Sequence, residues 1–158
     1  MQPFNIVLVE PEIPPNTGNI ARLCAATGTA LHLVGKLGFS TDDRYLKRAG
    51  LDYWKFVDIH YWQDLDAVTA HYPDSRFLYL STKVARSYLE ISFVPGDFIV
   101  FGKETKGLPA ELLAANPDTS ITIPMPSGNV RSLNLSTSAG IVLYEALRQS
   151  GLMCREAK

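Results

Sequence analysis

Short, mostly apolar runs recur along the chain, separated by stretches in which apolar residues fall three and four positions apart. Phe4 to Val9 is β-branched, ends at Glu10 and reads as a buried strand. Ala30 to Val34, Phe77 to Leu80, Asp97 to Phe101 and Ser120 to Ile123 repeat that pattern, with a weaker strand over Lys55 to Ile59. Between them the spacing predicts helices. The first runs from Gly18 to Thr27, with Ile20, Leu23, Cys24 and Ala26 on one face and Asn16 or Thr17 as its cap. Before it, Pro11, Pro14 and Pro15 stiffen a loop. A short helix led by acids is predicted over 42–50, another over Trp62 to Tyr72, and a third from Leu108 to Ala115, stopped by Asn116-Pro117.

The last predicted helix, Leu133 to Ser150, carries an apolar stripe of Leu135, Ala139, Val142, Leu143, Ala146 and Leu147, widened by Ile141 and Tyr144. Such width suits a helix packed on two sides or at a subunit contact; the alternative is a helix sunk in its own core. Short strands alternating with helices predict an α/β fold, a mostly parallel sheet flanked by helices. No repeat or linker divides the chain, so a single domain over residues 1–158 is expected.

Composition changes this picture in only a few places. Hydrophobic residues make up 46% and charged residues 20%, as in ordinary globular proteins. Fifteen Lys and Arg against 16 Asp and Glu give a net charge of -1, which excludes a strongly basic nucleic-acid binder but not a local basic face. Cys24 and Cys154 form no CxxC pair and are expected as free thiols in a reduced, cytoplasmic setting. The opening MQPFNIVLVEPEIPP lacks the form of a signal peptide, and no apolar run is long enough to predict a membrane span. His32, His60 and His71 share no metal-ligand spacing, so no metal is expected.

The chemistry concentrates where strands end. NTGNIAR (Asn16 to Arg22), FGKETKGLP (Phe101 to Pro109) and IPMPSGNVRSLNLSTSAG (Ile123 to Gly140) are loops rich in Gly, Asn, Ser and charge. In open α/β sheets, loops at the carboxyl ends of strands can line one cleft. None of the three is a Walker or GxGxxG fingerprint, and no GxSxG elbow occurs. All three histidines precede the serines of the third loop, which excludes a triad in α/β-hydrolase order. In that loop, Asn134 or Ser136 can cap the long helix, whose start offers N–H donors to a carboxylate or phosphate. Arg22 lies one turn beyond the first loop, placed to hold a phosphate bidentately or simply to solvate its helix. Glu104 is placed to fix the second loop or a substrate hydroxyl, or else to pair in solvent with Lys103 or Lys106.

In order and spacing these loops resemble the three motifs of the knotted SPOUT-class RNA methyltransferases, over Phe4 to Gln149. The opening IVLVEPEIPPNTGNIARLCAATG, together with AGLDYW at Ala49 to Trp54, is most similar to the minimal tRNA (cytidine/uridine-34)-2'-O-methyltransferases. The resemblance implies a deep C-terminal trefoil knot, a homodimer, and S-adenosylmethionine bound in the knot, with S-adenosylhomocysteine as product. It implies a cofactor pocket of Leu80, Ser81, Gly102, Glu104, Gly107, Ile123, Met125, Ser132, Leu133 and Leu135. It places Asn16, Arg22 and Ser132 in the catalytic site near the acceptor ribose, Arg131 beside it, and Tyr144 near the subunit contact. The implied partner is a tRNA anticodon stem-loop, with leucine tRNAs as acceptors and no separate RNA-binding domain.

The implied reaction is in-line methyl transfer to a ribose 2'-oxygen, which asks for alignment and proton removal more than for leaving-group help. Arg22 would hold the substrate phosphate; the final proton acceptor is either a transiently neutral Arg22 or the phosphate. Arg44, Lys47, Arg48, Lys83, Arg86, Lys103 and Arg131 are available for RNA phosphates, with Tyr45, Tyr53 and Trp54 for stacking unless Trp54 is core. Two readings compete: a 2'-O-methyltransferase for another tRNA position or rRNA, and a non-catalytic dimeric RNA-binding protein of the same fold.

Overall fold

The computed structural model describes residues 3–40, 44 and 52–153. Most of the predicted 42–50 helix, with Tyr45, Lys47 and Arg48, lies outside the described residues, as does Cys154. The strands are β1 (Asn5–Val9), β2 (Ala30–Val34), β3 (Ile59–Trp62), β4 (Phe77–Leu80), β5 (Phe98–Phe101) and β6 (Ser120–Ile121). Among the described residues, four helices longer than one turn accompany them: α1 (Pro14–Thr27), α2 (Leu65–His71), α3 (Ala110–Ala115) and α4 (Leu135–Gln149). The strands form one sheet in the order β3-β2-β1-β5-β4-β6, every neighbouring pair parallel. This is the predicted α/β class.

The sheet is buried on both faces, which is why its central strands are continuous apolar runs rather than alternating ones. Along β1, Ile6 and Leu8 face one core while Val7 faces the other. The first core joins them to Leu31, Leu33, Ile99 and Phe101 and is closed by α1 (Ile20, Ala21, Cys24) and α4 (Ala139, Val142, Leu143, Ala146, Leu147). The second gathers Val34, Tyr79, Phe98 and Val100 under Val68 of α2 and Leu113 of α3. Burial pushes the Cys24 thiol far above its usual range, so it behaves as a small apolar side chain.

Three predicted boundaries move by three residues or more, and others by one or two. The helix expected from Gly18 begins at Pro14, because two prolines at its first two positions have the fixed φ a first turn needs and no N–H to orphan. Its N-cap is Ile13, with no side-chain cap, not Asn16 or Thr17. The weak strand expected over Lys55 to Ile59 lies at Ile59–Trp62, where half-buried edge residues mask the apolar pattern; Asp52–Trp54 is instead a helical turn. α2 accordingly starts at Leu65, capped by Asp64, whose side chain accepts from the Ala67 N–H at 2.8 Å. Trp54 packs against the first core, as its core reading expected.

β1 and β5 are adjacent, yet the chain leaves β1 toward α1 on one face and β5 toward α3 on the other. That divergence opens a crevice at their carboxyl ends. At the amino ends an ion pair closes the sheet: half-exposed Arg76 donates to both oxygens of buried Asp97, at 2.9 and 2.6 Å, and Asp97 also accepts from the Val94 N–H. No helix among the described residues is long and apolar enough to cross a membrane.

His32 on β2 is fully buried in the second layer. Trp62 Nε1 donates to its Nδ1 at 3.0 Å, so Nε2 carries the proton and donates to Asn5 Oδ1 at 3.1 Å. The His60 ring stacks on it at 4.7 Å. Burial, then the neighbouring His60, lowers the His32 pKa from 6.5 to about 4. The unfolded chain therefore binds the extra proton first: the stability from neutral His32 is complete above pH 6.5 and lost as pH falls toward 4. Urea unfolding should show a His32 contribution about 2 kcal/mol smaller at pH 5 than at pH 7. His32→Gln should remove that difference; an equally steep pH dependence in the variant would show that another group carries it.

Candidate functional site

Where β1 ends, Glu10 adopts a left-handed backbone (φ 50°), a conformation that costs a non-glycine residue about 1 kcal/mol. Its N–H is held by the Val34 carbonyl at 2.8 Å and its carboxylate pairs with Lys103 Nζ at 3.2 Å. Thr105, two residues on, donates through Oγ1 and N–H to Glu12 Oε1, at 2.7 and 3.2 Å. These bonds, with smaller help from Lys103 and Lys106, hold the Glu12 carboxyl below the usual range.

Glu104 completes the stitching. One of its oxygens accepts from the Glu12 N–H at 2.9 Å; the other accepts from the Ile13 N–H at 3.1 Å and Asn16 Nδ2 at 3.3 Å. Of the readings open from sequence, fixing a loop is the one seen, although the loop it fixes most is the first. Asn16, nearly buried, passes the connection on, since its Oδ1 accepts from Asn134 Nδ2 at 2.9 Å. Asn134 Oδ1 in turn caps α4, accepting from the Ser136 and Thr137 N–H groups at 2.9 and 3.3 Å. Three segments far apart in sequence thus share one chain of hydrogen bonds.

The second loop folds on itself at Gly102. A Cβ there would lie 2.1 Å from the Gly107 carbonyl carbon and 2.4 Å from the Leu108 nitrogen, so only glycine fits. The Gly107 N–H closes the turn on the Lys103 carbonyl at 2.8 Å, and Gly107 itself is left-handed (φ +66°). On the far side of β4, the N–H of Ser81 donates to the Ile121 carbonyl at 3.0 Å and that of Thr122 to the Arg86 carbonyl at 2.8 Å. The β6 segment is therefore held between β4 and residues 86–88.

An open cleft of about 850 Å³ lies over the ends of β4, β5 and β6. Its lining includes all ten residues expected around a cofactor: Leu80, Ser81, Gly102, Glu104, Gly107, Ile123, Met125, Ser132, Leu133 and Leu135. Asn16, Lys83 and Arg131 join them, as do Thr82, Lys106, Thr122 and Ser138, which sequence reasoning had not singled out. Lys106 and Ser138 had a signal in their place within the second and third loops; Thr82 and Thr122 lie outside the motif stretches and offered none.

Arg22 does not line this cleft. It stands six residues beyond Asn16, which on a helix is about 9 Å along the axis and 120° around it. Its Cζ lies 5.1 Å from the centroid of the Tyr53 ring. Arg44 and Tyr144 are exposed and likewise outside the cleft. Arg86 donates from Nη1 to the Asp118 carbonyl and so braces the segment alongside β6. Among the described residues no group of three or more His, Cys, Asp and Glu could hold a metal ion.

The family model of the SpoU rRNA methylases matches residues 3–144. A tRNA (cytidine(34)-2'-O)-methyltransferase of Methylovorus glucosotrophus is 51% identical over 147 residues, 92% of this chain and 95% of that protein. The enzyme of the same name from Burkholderia ambifaria is 49% identical over 151 residues, 94% of this chain and 96% of its own. A solved structure concerning 2-OH methylation of C/U34 on tRNA superposes with a TM-score of 0.87 at 44% identity, covering 96% of this chain and 97% of that one. The fold is also that of the SpoU methyltransferase AviRb from Streptomyces viridochromogenes in complex with AdoMet, with a TM-score of 0.80 at 23% identity, covering 94% of this chain and 61% of that one.

Gly102→Ala should destabilise the chain by about 3 kcal/mol or more, because the neighbours of the new methyl are backbone atoms that cannot swing aside. Chemical unfolding checks the magnitude, and amide exchange at Gly107 and Ile13 should quicken with it. Wild-type stability in the variant would contradict the close approach.

Proposed function

The chain belongs to the SpoU rRNA methylase family, and from that premise we propose that it methylates the ribose 2'-oxygen of wobble nucleotide 34, a cytidine or uridine, in tRNA, using S-adenosylmethionine. The observation that carries this reading is the cleft, in which three loops distant in sequence converge on one site.

The residues present fit that cofactor. Leu80, Ile123, Leu133 and Leu135 offer an apolar wall for a planar base. Gly107 lines the cleft, and a Cβ added to it would meet no protein atom within 4 Å. A cavity of about 850 Å³ lies within the range of small-molecule sites. When bound, S-adenosylmethionine supplies an electrophilic methyl group on a sulfonium centre. The protein's own tasks are then to align the acceptor, exclude water and accept a proton.

Asn16 spends its amide nitrogen on Glu104 and its amide oxygen on Asn134, so its role is to position the loops. Ser132 and Arg131, exposed and on the cleft lining, face the acceptor ribose in this reading. Arg22 holds a substrate phosphate and orients the 2'-hydroxyl, which places the RNA along the outer face of α1. Lys83, Lys103, Lys106 and Arg131 line the cleft and give the near-neutral chain a local positive rim.

The homodimer and the knot belong to the same proposal. Tyr144 on α4 is 43% exposed, and Leu152 and Met153, just past its end, are 50% and 47% exposed, an apolar surface suited to a second copy. Threading of β6 between β4 and residues 86–88, followed by the return of α4 onto α1, supports a trefoil knot. We place this one-domain enzyme in the cytoplasm with its tRNA.

Radiolabelled methyl transfer to a tRNA panel tests the reading, with a transcript carrying 2'-deoxyribose at nucleotide 34 as the decisive member. Label should enter acceptor tRNAs and not the deoxy transcript; equal labelling of both would overturn the wobble assignment. Arg22→Ala should lower kcat by about 100-fold or more while leaving cofactor affinity nearly unchanged. Near-normal turnover would remove Arg22 from the mechanism. Binding of tRNA should weaken steeply with salt, since phosphates supply most of the attraction; a flat salt dependence would contradict the cationic rim.

A further inference from the structure

The turn at Asp52–Trp54 and the residues after it present an aromatic surface wider than the Tyr53 ring expected to stack on RNA. The Phe56 N–H donates to the Tyr53 carbonyl at 2.9 Å and the Val57 N–H to the Trp54 carbonyl at 3.1 Å. Those two bonds set the side chains into opposite pairs. Trp54 and Val57 turn inward against the first core, while Tyr53 and Phe56, three positions apart, turn outward. Phe56 is 68% exposed, more than any other large hydrophobic residue among those described, and Tyr53 is 37% exposed.

Each ring also carries a cation. Arg22 Cζ stands 5.1 Å from the Tyr53 centroid, and Lys55 Nζ stands 5.0 Å from the Phe56 centroid. An aromatic ring with a cation on one face keeps the other for a flat ligand, and the cation's charge calls for an anion alongside. Unpaired nucleotides combine both requirements, a π-face and a phosphate, at neighbouring positions. A protein surface burying Phe56 would instead have to desolvate Lys55 beside it, at a penalty that only a well-placed acid offsets.

We propose that Tyr53 and Phe56 form a stacking subsite for unpaired bases next to the nucleotide that is methylated, with Arg22 and Lys55 taking the adjoining phosphates. The proposal rests on the reading above that the substrate is tRNA, and specifies which part of the surface holds its loop. Arg22 then has two tasks through one geometry: the Tyr53 ring fixes its guanidinium, and the base stacked beside it fixes the phosphate it grips. Trp54, the other aromatic residue of this turn, anchors the platform rather than the RNA.

The test uses the full chain and an anticodon stem-loop carrying 2-aminopurine just 3' of nucleotide 34, whose fluorescence is quenched on stacking. Phe56→Ala should raise the stem-loop Kd about tenfold and abolish the quenching. Affinity for S-adenosylmethionine by calorimetry and the sedimentation coefficient should stay at wild-type values, and Phe56→Trp should restore both RNA readouts. Tyr53→Leu should raise KM for tRNA, with partial rescue by Tyr53→Phe. Unchanged RNA affinity and quenching in Phe56→Ala would overturn the proposal, and so would a lowered sedimentation coefficient, which would make the turn a subunit contact. Should the wild type bind and quench the stem-loop yet place its methyl group elsewhere, the wobble reading fails while the stacking subsite stands.

Discussion

The carboxylate of Glu104 is the constraint on which the site depends. A helix start leaves N–H groups without partners, and at α1 the prolines Pro14 and Pro15 have none to leave. The donors just before them, on Glu12 and Ile13, find their acceptor in a residue of the loop after β5. This is possible only because β1 and β5 are neighbours, with Leu8 opposite Phe101, so that both loops emerge at the same edge. Asn16 then carries the connection to Asn134 and so to the first turn of α4. The close approach at Gly102 serves the same end, turning the chain tightly enough to bring Glu104 over the first loop.

Electrostatics at this edge is local. A chain with a net charge of -1 lines its cleft with Lys83, Lys103, Lys106 and Arg131, while Glu10, Glu12 and Glu104 are drawn into bonds with the opposing loop. The acids that balance the overall charge are thus partly spent on holding loops together. Lys103 is itself paired with Glu10, and the other rim cations, Lys83, Lys106 and Arg131, keep their attraction for phosphate, strongest where water is partly excluded. The proposed stacking subsite on the aromatic turn would add a second means of holding RNA, one that does not weaken with salt in the same way.

The strands were legible because a parallel sheet covered on both faces demands continuous apolar runs, and Phe77 to Leu80 and Ala30 to Val34 agree residue for residue. The edge strand was not: Ile59–Trp62 mixes histidine and aromatics on a half-exposed rim, and its signal was assigned four residues too early. Pro14-Pro15 looked like loop because proline usually breaks helices, whereas here it starts one. Within the site, the wall expected around a cofactor was legible through the resemblance of the loop motifs to the SPOUT-class methyltransferases, and those residues do line the cleft. The role of Glu104 stayed open, since its partners lie about 90 residues away and nothing local distinguishes it from a solvated acid. Arg22 was legible as a candidate phosphate ligand but not in its placement, because helical phase turns it away from Asn16 and onto Tyr53.

Hydrogen bonds join Glu104, Asn16 and Asn134 into one connected unit at the edge of the cleft, and cofactor binding depends on all three together. A double-mutant cycle with Glu104→Ala and Asn134→Ala, read by calorimetric binding of S-adenosylmethionine, tests it directly. Strong coupling is expected: either single change should cost most of what both together cost, about tenfold or more in affinity. Additive losses, each change acting as if the other site were intact, would contradict it.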